Sequence, residues 1–106
     1  MLASEVFDTA VNMGPAAAVR FLQRALNALN RGGSDYPDVL VHGAIGPRTL
    51  AALDGYLRCR GTLGETVLRR AVDALQGARY VELAEARPAD EAFVYGWLAQ
   101  RVGGDD

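Results

Sequence analysis

Apolar residues recur along this chain at helical spacing in five stretches, each bounded by glycine or proline. Val6, Phe7, Ala10 and Val11 mark the first, with Ser4 as a cap and Glu5 suited to the positive helix end. Gly14-Pro15 closes it and opens the next, predicted from Pro15 to Asn30. There Val19, Leu22, Leu26 and Leu29 fall on one face, with Phe21 and Ala25 alongside, while Arg20, Gln23, Arg24 and Asn27 point elsewhere. Arg31-Gly32-Gly33-Ser34-Asp35 ends that helix, and Tyr36-Pro37-Asp38 continues a loop with the composition of a mobile segment. Val39-Leu40-Val41 is β-prone but too short for a sheet of its own, so one extended pairing with a neighbouring loop is the most expected of it.

Gly43-Ala44-Ile45-Gly46-Pro47-Arg48-Thr49 predicts a tight turn feeding a helix to about Arg60, with Leu50, Leu53 and Leu57 on one face. Gly55 inside it points to close packing, and Gly61 stops it. Thr62 and Glu65 have capping-box spacing ahead of a fourth helix with Val67, Leu68, Ala71, Val72 and Leu75 as its stripe. That helix either runs on to Ala86 or breaks near Gly77, and Pro88 ends any continuation. Asp90 caps a last helix with Phe93, Val94, Trp97, Leu98 and Val102 on its buried side. The expectation is an all-α fold: one helical domain over residues 1–102, a compact orthogonal bundle of about five helices with one longer loop, and a polar tail at 103–106.

Composition narrows the function. The formal net charge is −2, which argues against nucleic acid as a partner, because phosphate binding needs a basic surface. Every positive residue is Arg, whose forked guanidinium suits carboxylates, including those of peptide stems. One Cys, Cys59, and one His, His42, allow no internal disulfide and argue against a zinc site. No metal ligand or cofactor is assigned. No apolar run approaches membrane-spanning length, and the N-terminus lacks the basic start of a signal peptide, so an export route is left open.

Three blocks carry a resemblance. They are Asn12-Met13-Gly14-Pro15 with Gln23-Arg24-Ala25-Leu26-Asn27, the Val41–Leu53 turn and helix, and Gly96-Trp97-Leu98. In this order and at these distances they resemble the C-terminal predicted peptidoglycan domain of phage-type N-acetylmuramidases, glycoside hydrolase family 108. The likeness covers most of the chain, from Glu5 to Val102. One departure is His42-Gly43 where the family turn usually reads Asp-Gly. An Asp side chain accepts a bond from its own turn backbone, which His42 is expected to do less readily. The resemblance also implies a catalytic Glu in a Glu-Gly-Gly-Tyr motif ahead of the matched region. No Glu-Gly-Gly occurs here, so the chain is read as the C-terminal part of such an enzyme, excised or naturally short, without a catalytic residue of its own.

Several residues are candidates for ligand contact. Asn12, at the end of the first predicted helix, is either a sugar-contacting amide, as the resemblance implies, or a helix-end cap. Gln23 and Asn27 share a face one turn apart and suit glycan or stem-peptide amides, although a solvated polar face is the preferred reading. Tyr36, in the predicted mobile loop, is the aromatic most free to meet a ligand. Gly14, Pro15, Gly43, Gly46, Pro47, Thr49, Gly96 and Trp97 are read as structural motif positions. Trp97, Tyr95, Tyr80 and Phe93 offer an aromatic platform for sugar rings, with core packing of Trp97 preferred. Glu82 and Glu85, three apart, and the adjacent Asp90 and Glu91 offer two carboxylate pairs of the kind glycosidases use, but their placement matches a solvated helix surface and first-turn charges.

The function expected is a peptidoglycan-binding module acting at the bacterial cell wall. Its partners would be a glycan strand or stem peptide and an N-terminal catalytic domain. A competing expectation is a purely structural domain that completes the enzyme and, isolated, forms a homodimer through the exposed face. A self-sufficient hydrolase using Glu5 or Asp8 is the weakest.

Overall fold

The computed structural model describes residues 14–100; of Asp90 and Gln100 only the backbone is described. The predicted first helix, with Asn12, Glu5 and Asp8, lies outside these residues, as does the polar tail. The described residues are all-α, with no strand among them. Four of the five predicted helices fall within them, and they form three helical elements: α1 (Pro15–Ala28), α2 (Pro47–Ala86), which joins two of the predicted helices, and α3 (Glu91–Gln100), with short 3₁₀ turns at Arg31–Gly33 and Pro88–Asp90. The chain divides into two compact units between Val72 and Asp73.

In the first unit, Pro15 opens α1 at a position where its missing N–H costs nothing, directly after Gly14. Ala18, Phe21, Leu22, Ala25 and Leu26 are buried, a stripe at i, i+3, i+4, i+7 and i+8. This stripe is rotated from the expected Val19–Leu22–Leu26–Leu29 line, and Val19 and Leu29 are only half-buried. The rotation turns Gln23 inward, where it is fully buried.

In the stretch of α2 before Gly61 the buried positions are Thr49, Ala52 and Tyr56, not Leu50, Leu53 and Leu57. Leu50 is 53% exposed. Each buried position lies one residue before the expected one, a rotation of about 100° about the helix axis. Two contacts impose it. The Thr49 hydroxyl is bonded to Gln23, and the Tyr56 ring meets Tyr36 edge-on at 6.3 Å. Leu68 and Val72 complete the buried set of this unit, while Val67 is exposed.

The helices predicted on either side of Gly61 meet end to end in α2, and Gly61 itself has φ 68 and ψ −155, outside helical geometry. The stop read from the sequence is therefore the kink at which two helical stretches join. Only glycine takes this conformation at little cost. Past it, the Tyr56 hydroxyl donates to the Gly64 carbonyl at 2.6 Å, bridging the kink.

The second unit contains the end of α2, which runs unbroken past Gly77, and α3. Tyr80 meets Trp97 at 5.0 Å and Phe93 at 5.2 Å, both edge-on, an arrangement aromatic rings favour. Tyr80, Val94 and Trp97 are buried. Phe93 is not: it is 52% exposed, and Tyr95 is 78% exposed. In α3 the i, i+3 pair Val94–Trp97 faces inward, and Phe93 meets Tyr80 from the margin.

Candidate functional site

Two side-chain amides of α1, Gln23 and Asn27, stand at i and i+4, and Asn30, just past the end of the helix, continues the row. The segment 35–44 runs back along this row. The Asn30 Oδ1 accepts from the Asp35 N–H at 3.2 Å, and its Nδ2 donates to the Tyr36 carbonyl and to Asp38 Oδ1. Asn27 pairs with both backbone groups of Val39, accepting from its N–H at 2.9 Å and donating to its carbonyl at 2.8 Å. Gln23 accepts from the N–H groups of His42 and Gly43, each at 3.1 Å. Its Nε2 donates to the Ala44 carbonyl at 3.1 Å and to Thr49 Oγ1 at 3.0 Å. A primary amide offers two donors and two lone pairs, so Gln23 is saturated.

These bonds replace the extended pairing expected of Val39-Leu40-Val41. Asn27 presents its C=O and N–H₂ to Val39 much as a neighbouring strand would. The backbone of the loop finds its partners in side chains of one helix, which satisfies the requirement that sheltered backbone polar groups be bonded.

Gly43 sits at the tightest point, with φ 81. A Cβ there would lie 3.0 Å from the Ala16 carbonyl oxygen and 3.2 Å from Arg20 Nε. Next to it, the His42 Nδ1 accepts from the Ala44 N–H at 3.1 Å. This is the bond to residue i+2 that an Asp makes in an Asx-turn, so His42 serves in the role its imidazole was expected to fill poorly. Pro47 then starts α2, with the Leu50 N–H bonded to the Gly46 carbonyl at 3.0 Å.

Tyr36 is not free to meet a ligand. It is 7% exposed, and its hydroxyl donates to the Leu26 carbonyl at 2.7 Å. Burial, reinforced by the nearby Tyr56 phenol, pushes its pKa up to about 12, because the phenolate would lose its hydration. Gln23 has no surface to offer either, and the amide of Asn27 is engaged at both ends. Gln23, Asn27 and Tyr36 build the loop that frames a surface. A solvated polar face, the alternative for Gln23, is excluded by its burial.

The framed surface is a hollow of about 280 Å³ lined by Pro37, Asp38, Val39, Arg48, Ala51 and Ala52. A second hollow of about 310 Å³ is lined by His42, Gly46, Pro47, Arg48 and Thr49. Arg48 belongs to both. It is exposed and forms no ion pair among the described residues. Asp38 is oriented by Asn30. The first hollow thus combines an apolar floor with one guanidinium and one carboxylate, a composition suited to a ligand with an apolar face and a few polar groups.

Arg48, Asp38 and Asn30 were not singled out in the sequence. Asn30 stands three residues beyond Asn27, just past the end of α1, so extending the amide row by three residues would have found it. For Arg48 no local signal exists, because its importance comes from the loop that folds beside it.

Tyr80 and Trp97 are core, while Tyr95 and Phe93 reach the surface. Gly96 lies exposed in α3. Glu82 pairs with Arg79 at 3.2 Å on an exposed helix surface. Among the described residues, no group of three or more His, Cys, Asp or Glu stands close enough to hold a metal ion. No described helix is long and apolar enough to cross a membrane.

Among curated proteins, none matches the chain. A protein-family profile does match, across residues 17–102, from the amide row through the turn, the hollows and the aromatic cluster. The chain belongs to the family described as Predicted Peptidoglycan domain, a cell-wall-binding module.

Proposed function

We propose that this chain binds peptidoglycan through the hollows that share Arg48, as the C-terminal part of an N-acetylmuramidase of the glycoside hydrolase family 108 type. Catalysis would come from a Glu in an N-terminal catalytic domain, with this module positioning the wall. The observation that carries the reading is the unpaired Arg48 guanidinium above the apolar floor of Val39, Ala51 and Ala52. The floor suits the apolar face of a sugar ring, and the guanidinium suits a stem carboxylate or the lactyl ether and amide oxygens of the glycan. Family membership supports peptidoglycan as the ligand. Asn12, outside the described residues, remains a proposed glycan contact.

Co-sedimentation with insoluble bacterial sacculi tests this. The expected result is saturable pelleting of the folded chain, weakened about tenfold by Arg48→Ala, the cost of about one charge-assisted hydrogen bond. No pelleting by folded protein, or pelleting indifferent to Arg48→Ala, would remove the site.

A second reading, a structural domain without glycan binding of its own, is favoured by the exposure of Leu40 (72%), Ile45 (54%) and Leu50 (53%). Such apolar side chains would meet the catalytic domain, or a second copy when that domain is absent. Concentration-dependent light scattering separates the two, since a monomer at high concentration argues against a large uncovered interface.

A further inference from the structure

A third hollow in the first unit, of about 270 Å³, has a different chemistry. Arg31, Cys59 and Arg60 line it together with Leu29, Leu63 and Val67. Leu63 is 72% exposed, so the apolar wall faces water. The two guanidiniums differ. Arg31 holds Asp35 through Nε at 2.8 Å. Arg60 has no carboxylate partner among the described residues. Its Nη2 donates to the Leu29 carbonyl at 3.0 Å, and its Nε is buried with no hydrogen-bond partner.

Arg60 is half-buried, its sheltered Nε lacks the bond such a group ordinarily has, and its Nη2 is tied to Leu29. It therefore lines the hollow as a fixed cation whose charge no carboxylate among the described residues meets. Its bond to Leu29 anchors one side of the fork, and Arg31 offsets the nearby Asp35 charge. The wall of Leu29, Leu63 and Val67 asks for an apolar body attached to that anion.

We propose that this hollow binds the C-terminal carboxylate of a short apolar peptide, with Arg60 as the carboxylate donor and Leu29, Leu63 and Val67 holding the residue that bears it. Resting on the peptidoglycan reading above, that peptide is the stem of the wall polymer. The chain then holds the wall at two chemically distinct places, a hollow beside Arg48 and a carboxylate pocket at Arg60. Cys59, an exposed free thiol on the rim, reports on occupancy without taking part.

The test uses the whole chain and N-acetyl-D-alanyl-D-alanine, with its C-terminal amide as the control. Binding is read by calorimetry and by the rate at which iodoacetamide alkylates Cys59. The free acid is expected to bind saturably and to slow alkylation. The amide, and the acid with Arg60→Gln, are expected to bind at least tenfold more weakly. Should Arg60→Gln fail to fold, Arg60→Lys and the acid–amide comparison carry the result, since lysine keeps the charge but loses the fork. Equal binding of acid and amide, no saturation, or unchanged affinity in a folded Arg60→Gln protein would overturn the pocket. A chain that pellets with sacculi but ignores the dipeptide overturns the pocket alone. A chain that binds the dipeptide with this acid preference but does not pellet supports the pocket and overturns the wall-binding reading.

Discussion

Gln23 and Thr49 are joined by a buried 3.0 Å hydrogen bond that ties the middle of α1 to the first turn of α2. Around that bond the same amide holds the backbone of His42, Gly43 and Ala44. One side chain thus sets how the turn is placed against both helices. Gln23→Leu fills a similar volume but leaves the Thr49 hydroxyl buried without its partner and strips the turn of three bonds. A loss of about 2–4 kcal/mol is expected, read as a lower urea midpoint at an unchanged slope. Thr49→Val should cost about 1 kcal/mol, because Gln23 keeps its bonds to the turn. A change within the ~0.5 kcal/mol typical of surface positions would show that Gln23 is not an anchor.

Asn27→Ala removes only the pairing with Val39. The core around Leu22 and Leu26 is untouched, so the global loss should be modest, about 1–2 kcal/mol. The local effect should be larger. Hydrogen exchange of the Val39 N–H and proteolytic cleavage within residues 36–42 are expected to accelerate while amides of α1 keep their protection. Uniform acceleration throughout the first unit would mean that the loop and helix open together.

Gly43→Ala and Gly46→Ala separate two glycines that look alike in the sequence. At Gly43 a methyl group meets the Ala16 carbonyl at 3.0 Å with φ at 81, and about 1–3 kcal/mol of destabilisation follows. At Gly46 nothing lies within 4 Å of the added carbon and φ is not positive, so alanine should be nearly neutral. Paired thermal melts check this, and equal losses would contradict the geometry.

Tyr36 couples stability to alkaline pH. Its pKa is pushed up to about 12 in the folded chain, against about 10 for an exposed phenol. The unfolded chain therefore releases this proton first as pH rises. The contribution of Tyr36 is fully present below pH 10 and is lost as pH climbs from about 10 to about 12, amounting to about 2–3 kcal/mol at most. Tyr56, raised in the same direction chiefly by burial, adds to the same window. Tyr36→Phe loses the bond to Leu26 but should also flatten this decline. A stability curve as steep in the variant as in the parent would place the titration elsewhere.

Much of this architecture was legible from local patterns. Pro15 and Pro47 start helices where their absent N–H is harmless, Gly43 takes the turn that needs positive φ, and Gly61 interrupts α2 where the apolar pattern breaks. The all-α class follows from apolar spacing alone. So does the break at Gly61, where two predicted helices join across a kink in α2.

Exposure was harder to read, and the reason lies in Gln23. An amide looks solvated in a sequence, since burying it unpaired is costly. It becomes a core residue only when four partners converge on it, and those partners come from residues 42–44 and 49, some twenty positions away. The same holds for Tyr36, buried once its hydroxyl found the Leu26 carbonyl. The sequence by itself determined where helices start, bend and turn, because those choices depend on φ, missing N–H groups and apolar period within a few residues. Only the tertiary structure decided which polar groups face inward and which cations, Arg48 and Arg60, line a hollow with no ion-pair partner among the described residues, because burial and pairing depend on segments distant in the chain.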